Sequence, residues 1–371
     1  MNPRMLLLLA VVAAASPGLA QPPPPDTLVS PEVRPDRQVT FRVRAPKAAQ
    51  VTLFGAWMPL GTQEPMTKDA EGIWSVTVGP LEPNGYLYSF TLDGVTVADP
   101  VNPDVKLRQR TSASLLEIPA TPPAPWDLRD VPHGAVEVHW LKSKVLDNST
   151  RQVFVYLPPG YDKSTARYPV LYLFHGSGDV AASWTQAGKA NLILDSLIAE
   201  KKAVPMIVVM PPGHAVPFGS APAVQAKNTP LFEEYLFQEI IPWVDARYRT
   251  APGRENHAIA GLSMGGGQSS NIGFAHLDVF SAIGIFSSSG GPEFANRFKD
   301  QLADPKGTNA RLNVFWMGIG RQDAGYERSK QFSAMLTKNQ IKHAFLETEG
   351  GHVWAVWRWA LSEFTPLLFH R

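Results

Sequence analysis

One stretch limits what this chain can fold into more than any other. Residues 258–270 read AIAGLSMGGGQSS: a short apolar strand, the pentapeptide Gly261-Leu262-Ser263-Met264-Gly265, and a helix start. A serine on so tight a strand-to-helix turn needs small neighbours, because larger side chains at the flanking positions would clash. The turn lifts the Ser263 hydroxyl above a sheet. It also sets the Met264 N–H at a helix N-terminus, where the backbone dipole favours a developing negative charge.

The surrounding sequence supplies such a sheet. Residues 153–157, 170–174, 206–210 and 258–260 are short, nearly continuous apolar runs that alternate with helical patterns. One helix is expected over 190–200. Another is expected over 231–247, with Leu231, Tyr235, Leu236, Ile240, Trp243 and Val244 on one stripe. This alternation implies a mostly parallel sheet with helices on both faces.

Residues 27–118 have a different character. VTFRVR (39–44), VTLF (51–54), IWSVTV (73–78) and YLYSFTL (86–92) read as half-buried strands, the last ending in the turn pair Asp93-Gly94. A small all-β, immunoglobulin-like sandwich is expected there. The string IPATPPAPW (118–126) holds four prolines in nine residues, which makes 119–126 a stiff linker. The division is then 27–118 sandwich, 119–126 linker and 127–371 sheet-and-helix unit. The linker reads as a boundary between two separately cored units. A chain starting near Trp126 is therefore expected to fold and to keep, to within about tenfold, the rate of whatever chemistry the residues after the linker carry. The alternative is a sandwich packed over the mouth of the site.

Ahead of both units, Arg4 precedes an apolar run at 5–15, broken by Ser16-Pro17-Gly18. With Gly18 and Ala20 as the small residues of a cleavage site, 1–20 reads as a signal peptide, and the mature protein as exported, periplasmic or extracellular. The run is about half the ~20 residues that span a bilayer, so no membrane attachment is expected after cleavage. The formal charge of +1 gives no basic excess for nucleic acid. The chain has no cysteine, which excludes thiolate nucleophiles, disulfide scaffolds and zinc-thiolate sites.

A serine hydroxyl needs a base to become a nucleophile. In the chain order of this fold the base follows the serine, and of nine histidines only His276, His343, His352 and His370 do so. His276 lies in the helix after the serine, His370 is at the extreme C-terminus, and His343 sits just before an apolar strand. His352 follows Gly350-Gly351 at the end of that strand, on a loop that can reach Ser263. The acid is sought at a strand end between the two. LNVFWM (312–317) leads into GIGRQD, so Asp323 can accept from the far imidazole nitrogen and fix its tautomer. Glu327, Asp304 and Asp300 are the competitors. An earlier strand runs into His175-Gly176-Ser177-Gly178, and the Ser177 N–H joins that of Met264 as an oxyanion donor. His175 itself is expected to shape that loop by hydrogen bonding.

With these residues in place, 134–371 resembles the esterase D and carbohydrate esterase family 1 group of α/β-hydrolases, which includes feruloyl and acetylxylan esterases. The matching strings are VFVYLPPGYD, YPVLYLFHGSGD, PMIVVMP, FEEYLFQEIIPWVDARYR, GLSMGGGQS and GGHVWAVWR, in that order. The resemblance places Ser263, Asp323 and His352 on the family triad and Ser177 and Met264 on its oxyanion positions. It implies that Trp184 either lines the acyl pocket or anchors its loop. It implies no cofactor and no metal. The substrate it implies is an ester on plant cell-wall polysaccharide, feruloyl or acetyl; a siderophore trilactone or transfer to another alcohol are its alternatives. A non-enzymatic binding protein would show a broken triad, and none is seen. Residues 27–118 are similar to the early-set sandwich of the isoamylase N-terminal type, carbohydrate-binding module family 48. That likeness makes Trp57 a possible glycan contact, whereas Trp74 alternates with Ile73 inside a strand and is expected in the core. Oligomeric state stays open.

Overall fold

The computed structural model describes residues 27–59 and 61–370; the expected signal peptide, 1–20, lies outside the described residues. Residues 32–118 form two facing sheets. One orders Glu32–Val33, Val39–Arg44, Ile73–Val78 and Thr67–Lys68. The other orders Glu64–Pro65, Val51–Gly55, Asn84–Leu92, Ala113–Ile118 and Val105–Lys106, with Val95–Val97 paired beside Asn84–Leu92. Alternation decides which residues meet between them. Val39, Phe41 and Val43 pack against Leu53, Tyr88, Phe90, Leu116 and Ile118. Trp74 joins this core, its indole N–H donating to the Ala45 carbonyl at 2.9 Å. Trp57 is half-buried. Its ring stacks on Phe41 at 5.6 Å and folds back over Gly55, where a Cβ would lie 2.2 Å from it. The ring named as a possible glycan contact thus has one part packed on the sandwich core and the rest at the surface.

The second unit is built on an eight-stranded sheet in the order Ala135–Ser143, Ser149–Leu157, Ile207–Met210, Val170–Phe174, His257–Leu262, Ala282–Phe286, Val314–Gly320, Ala344–Thr348. The first two strands are antiparallel to their neighbours; from Ile207–Met210 onward every pairing is parallel. The apolar runs are continuous because both faces are covered. Val170, Tyr172 and Phe174 meet helices Asn228–Tyr235, Met264–Ala275 and Tyr326–Lys338 on one side. Leu171 and Leu173 meet Ala190–Ala199 and Trp354–Phe364 on the other. The helix expected over 231–247 is one rod with a fault: α-helix to Tyr235, a π turn over Leu236–Ile240, then α-helix from Ile241. Pro242 has no N–H to continue the ladder, and the wider turn absorbs the mismatch.

Each unit has its own core, but the two also share a joint that the linker did not announce. Strand Ala113–Ile118 is covered on both faces. Ser114, Leu116 and Ile118 turn toward the sandwich, while Leu115 enters the hydrophobic core around Tyr156, Trp184 and Phe364, with Leu87 beside it. Next to them Arg358 is fully buried. Its guanidinium donates twice to Glu117, at 2.9 and 2.7 Å, and its Nε–H donates to the Ala187 carbonyl at 2.7 Å. Gly85 makes room for it; a Cβ there would lie 2.3 Å from the guanidinium. Leu115→Ala is expected to destabilise the full chain by about 2–5 kcal/mol, the range for a buried leucine truncated without collapse. A lowered urea midpoint checks this; an unchanged one would mean that Leu115 contributes nothing to the docking.

Candidate active site

Parallel pairing brings the C-terminal ends of four strands to one edge of the sheet, and the expected site residues follow those ends. Ser263 lies between strand His257–Leu262 and helix Met264–Ala275 with φ 52° and ψ −114°, a conformation that L-residues rarely adopt. The glycines around it are sterically required. A Cβ on Gly261 would lie 2.5 Å from the Gly265 carbonyl carbon, and one on Gly265 would lie 2.6 Å from the Phe174 oxygen. The Ser263 N–H donates to Phe286 at 2.8 Å, and the Gly267 N–H donates to the Ser263 carbonyl at 3.0 Å. Such strain is worth on the order of 1–3 kcal/mol and persists only where the surroundings impose it.

His352 and Asp323 complete a line behind the serine. Ser263 Oγ and His352 Nε2 are 2.9 Å apart, and His352 Nδ1 and Asp323 Oδ2 are 2.7 Å apart. With the proton on Nδ1, that nitrogen donates to the carboxylate and Nε2 is free to accept from the hydroxyl. The two loops are stitched together. The Arg321 N–H donates to Thr348 at 2.8 Å and the Gln322 N–H donates to Gly350 at 3.1 Å. Asp323 is buried. Burial pushes its carboxyl up, but hydrogen bonds from His352 and the Gly325 N–H, with the His352 charge, outweigh this and hold it below the ordinary carboxylate value. The competitors are elsewhere. Asp304 caps its own helix by accepting from the Gly307 N–H, and Glu327 and Asp300 are exposed.

The loop after strand Val170–Phe174 passes beside the serine. A Cβ on Gly176 would lie 2.5 Å from a Leu262 methyl and 3.4 Å from the Ser263 side chain, so a larger residue would have to push the buried leucine aside. His175 shapes the loop. Its Nδ1–H donates to the Gly176 carbonyl at 2.9 Å, and its Nε2 accepts from the Gly213 N–H at 2.8 Å. Ser177 follows, exposed, in a turn closed by the Asp179 N–H on the Gly176 carbonyl at 3.2 Å. Met264 opens its helix, so its N–H has no acceptor within the helix.

Trp184 corrects the pocket expectation. It has no exposed surface; its indole N–H donates to Phe174 at 2.9 Å, and its ring stands edge-on to Trp354 and Phe286. It anchors the strand end from below and offers substrate no face.

Three contributions were not visible in the sequence. His214 is buried against His175 and Phe218, at 5.7 and 5.5 Å between ring centres, and neither of its nitrogens has a protein partner. Burial, then the His175 and Arg151 charges, pull it down to about 4. Lys106 and Gln109, from the sandwich, bond the loop at Gly178 and Asp179. No local pattern marks any of them.

Strand order, serine turn and the aligned imidazole and carboxylate define an α/β-hydrolase. The chain belongs to the family described as "Putative esterase", whose model matches residues 143–368. The model of carbohydrate-binding module 48 (isoamylase N-terminal domain) matches residues 29–102. Among its relatives is an endo-1,4-beta-xylanase/feruloyl esterase of Xylanibacter ruminicola, 33% identical over 91% of this chain and 46% of that protein. The chain spans less than half the length of the curated relatives it matches. A CE1 ferulic acid esterase of Anaeromyces mucronatus, solved with ferulic acid, is 25% identical over 66% of this chain and 93% of its own, with TM-score 0.57. The enterochelin esterase of Shigella flexneri is 19% identical over 89% of this chain and 91% of its own, with TM-score 0.66; that likeness is one of fold.

The depressed Asp323 carboxyl carries a stability consequence. A folded value below the unfolded one contributes stability that is complete above the unfolded carboxylate value and lost as pH falls through the folded one. Asp323→Asn is therefore expected to lower the urea midpoint at neutral pH. The gap to wild type should close as pH drops through the carboxylate range. A gap independent of pH would show that the ionised carboxylate is not the source.

Proposed function

We propose that this protein is an exported serine esterase that cleaves carboxylic esters through an acyl-enzyme, acting on feruloyl or acetyl esters of plant cell-wall polysaccharide. The observation that carries the reading is the unbroken line from Ser263 Oγ through the His352 ring to Asp323, at 2.9 and 2.7 Å. His352 Nε2 takes the hydroxyl proton as Oγ attacks the ester carbonyl. Asp323 holds the ring in the productive tautomer and stabilises the imidazolium. The negative charge on the former carbonyl oxygen falls to the Met264 and Ser177 N–H groups. The imidazolium returns its proton to the departing alcohol. A water activated by the same nitrogen then releases the acid and restores Ser263.

The substrate class is supported by the likeness to the Xylanibacter xylanase/feruloyl esterase along 91% of the chain. Exposure agrees with it: the His352 side chain is 43% exposed, an open geometry that an ester attached to a polymer can enter. Export rests on residues 1–20. A second reading, a catecholate trilactone esterase, is favoured by one feature. Arg110 lies 5.0 Å over the Phe218 ring, beside Gly178 and with Arg108 nearby in the chain, so a cationic rim is available to an anionic ligand.

Ser263→Ala is expected to lose about 10⁴–10⁶-fold in kcat while remaining folded. A serine-directed phosphonate should label the wild type and spare the variant; labelling elsewhere would sink the assignment. Asp323→Asn should lose roughly 10³–10⁴-fold in kcat, with Glu327→Gln close to wild type. Methyl ferulate, acetylated xylan and a catecholate trilactone, compared by kcat/KM, decide the substrate. A clear preference for the trilactone would replace the polysaccharide reading.

A further inference from the structure

The loop that presents Ser177 is not held by the catalytic unit alone. Lys106, on the edge strand Val105–Lys106 of the sandwich, has no exposed surface. Its ammonium pairs with the Asp179 carboxylate and lies 5.5 Å from the centre of the Trp354 ring. Gln109 adds two bonds to the same turn. Its N–H donates to Gly178 at 2.8 Å and its side-chain amide donates to the Asp179 carbonyl at 3.1 Å. These contacts fall on the two residues directly after Ser177, and Gly178 takes φ 79°, where its own backbone supplies little restraint.

The other neighbour of Lys106 leads to the base. Trp354 opens a helix two residues after His352, and it stands edge-on to Trp357 at 5.1 Å. Trp357 in turn stands edge-on to the His352 ring at 5.0 Å. One side chain from the sandwich therefore touches both the oxyanion loop and the aromatic support of the imidazole.

Energy alone does not account for such a residue. Burying an ammonium costs several kcal/mol, and replacing a buried ion pair by apolar residues is often neutral or better. Burial pulls Lys106 down from its ordinary value, and the Asp179 charge opposes this. What the pair supplies is an anchor: among the described residues the buried ammonium has the Asp179 carboxylate as its one ion-pair partner, and moving that carboxylate away would leave the charge unpaired, so the turn carrying Ser177 is held with it.

We propose that Lys106 is a positioning residue which, through Asp179, fixes the turn that aims the Ser177 N–H at the oxyanion, so that the N-terminal unit serves the chemical step on every ester, small soluble ones included. The proposal rests on the serine-esterase reading. It differs from a role in polysaccharide capture, which would leave small esters unaffected.

Lys106→Met in the full chain tests it, with 4-nitrophenyl acetate as substrate. The kcat is expected to fall about 10- to 100-fold, short of the ~10²–10³-fold that outright loss of an oxyanion donor costs, with KM little changed. Affinity for a boronic acid, which mimics the tetrahedral oxyanion, should fall in parallel, while binding of the carboxylate product holds. Lys106→Met with Asp179→Asn should lose no more than either alone, since both act through one contact. Glu117→Gln loosens the other tie between the units without touching the loop. It should lower the urea midpoint and leave kcat in place. Should Lys106→Met fail to fold, Asp179→Asn gives the same readings. A folded variant with wild-type kcat, or an equal loss in Glu117→Gln, would overturn the proposal. A wild type that neither hydrolyses the ester nor takes up the phosphonate would overturn the esterase reading itself.

Discussion

Ser263 sits in a backbone conformation, φ 52° and ψ −114°, that its own chemistry disfavours, and most of the second unit can be understood as what holds it there. The strand before it is buried on both faces, and the helix after it packs flat on the sheet through Gly265, Gly266 and Gly273. A Cβ at any of these would come within 3 Å of a neighbour. The Ser263 N–H is spent on the adjacent strand at Phe286. A turn fixed from three sides cannot relax by moving its serine, so the hydroxyl stays aimed over the sheet edge. Parallel pairing then decides what else can reach it. The loops after strands Val170–Phe174, Val314–Gly320 and Ala344–Thr348 leave the sheet at that same edge, carrying Ser177, Asp323 and His352.

The imidazole has no comparable backbone constraint. Its loop contains two glycines, and its side chain is partly exposed. Its place is set by neighbours: Asp323 on one nitrogen, the Trp357 ring at its edge, and the bonds between 321–323 and 348–350 underneath. Gly320 is required for the last of these, because a Cβ there would lie 2.0 Å from the Gly350 oxygen. The serine is thus placed by backbone geometry and the histidine by its surroundings. That difference explains why a glycine pattern announces the first, while the second has to be reached by elimination among nine histidines.

The same distinction governs what could be read in the chain before its structure. Elements whose pattern is local were legible: the strand-to-helix turn, the apolar central strands, the alternation of the sandwich, Trp74 in its core. Asp323 was legible because it closes a strand end in the required order. The π turn at Leu236–Ile240 was not, since the apolar stripe runs through it unbroken. Trp184 stayed undecided because an aromatic next to a functional loop looks alike from sequence whether it faces substrate or supports a strand. The joint between the units was hidden for another reason. Arg358 and Glu117 are 241 positions apart and Lys106 and Asp179 are 73 apart, so neither pair leaves a periodic trace. One signal was available: ASLLEI is more continuously apolar than a sandwich strand with one solvated face should be, and both of its faces are covered.

Why the joint uses buried charges follows from what apolar packing cannot do. Leu87 and Leu115 against the hydrolase core favour contact over separation, but apolar surfaces tolerate small slides at little loss. A bidentate guanidinium–carboxylate pair does not, because both of its bonds need one orientation. The two pairs also run in opposite directions: Lys106 reaches from the sandwich into the hydrolase, and Arg358 reaches from the hydrolase into the sandwich. Two crossed ties at separate points remove the rotation that one tie would leave. One lands on the turn that carries Ser177; the other lies along the helix that begins just after His352. The two ties are not equivalent: the Arg358–Glu117 pair adds hold to the contact between the units, whereas the Lys106–Asp179 pair alone ties that contact to the turn after Ser177.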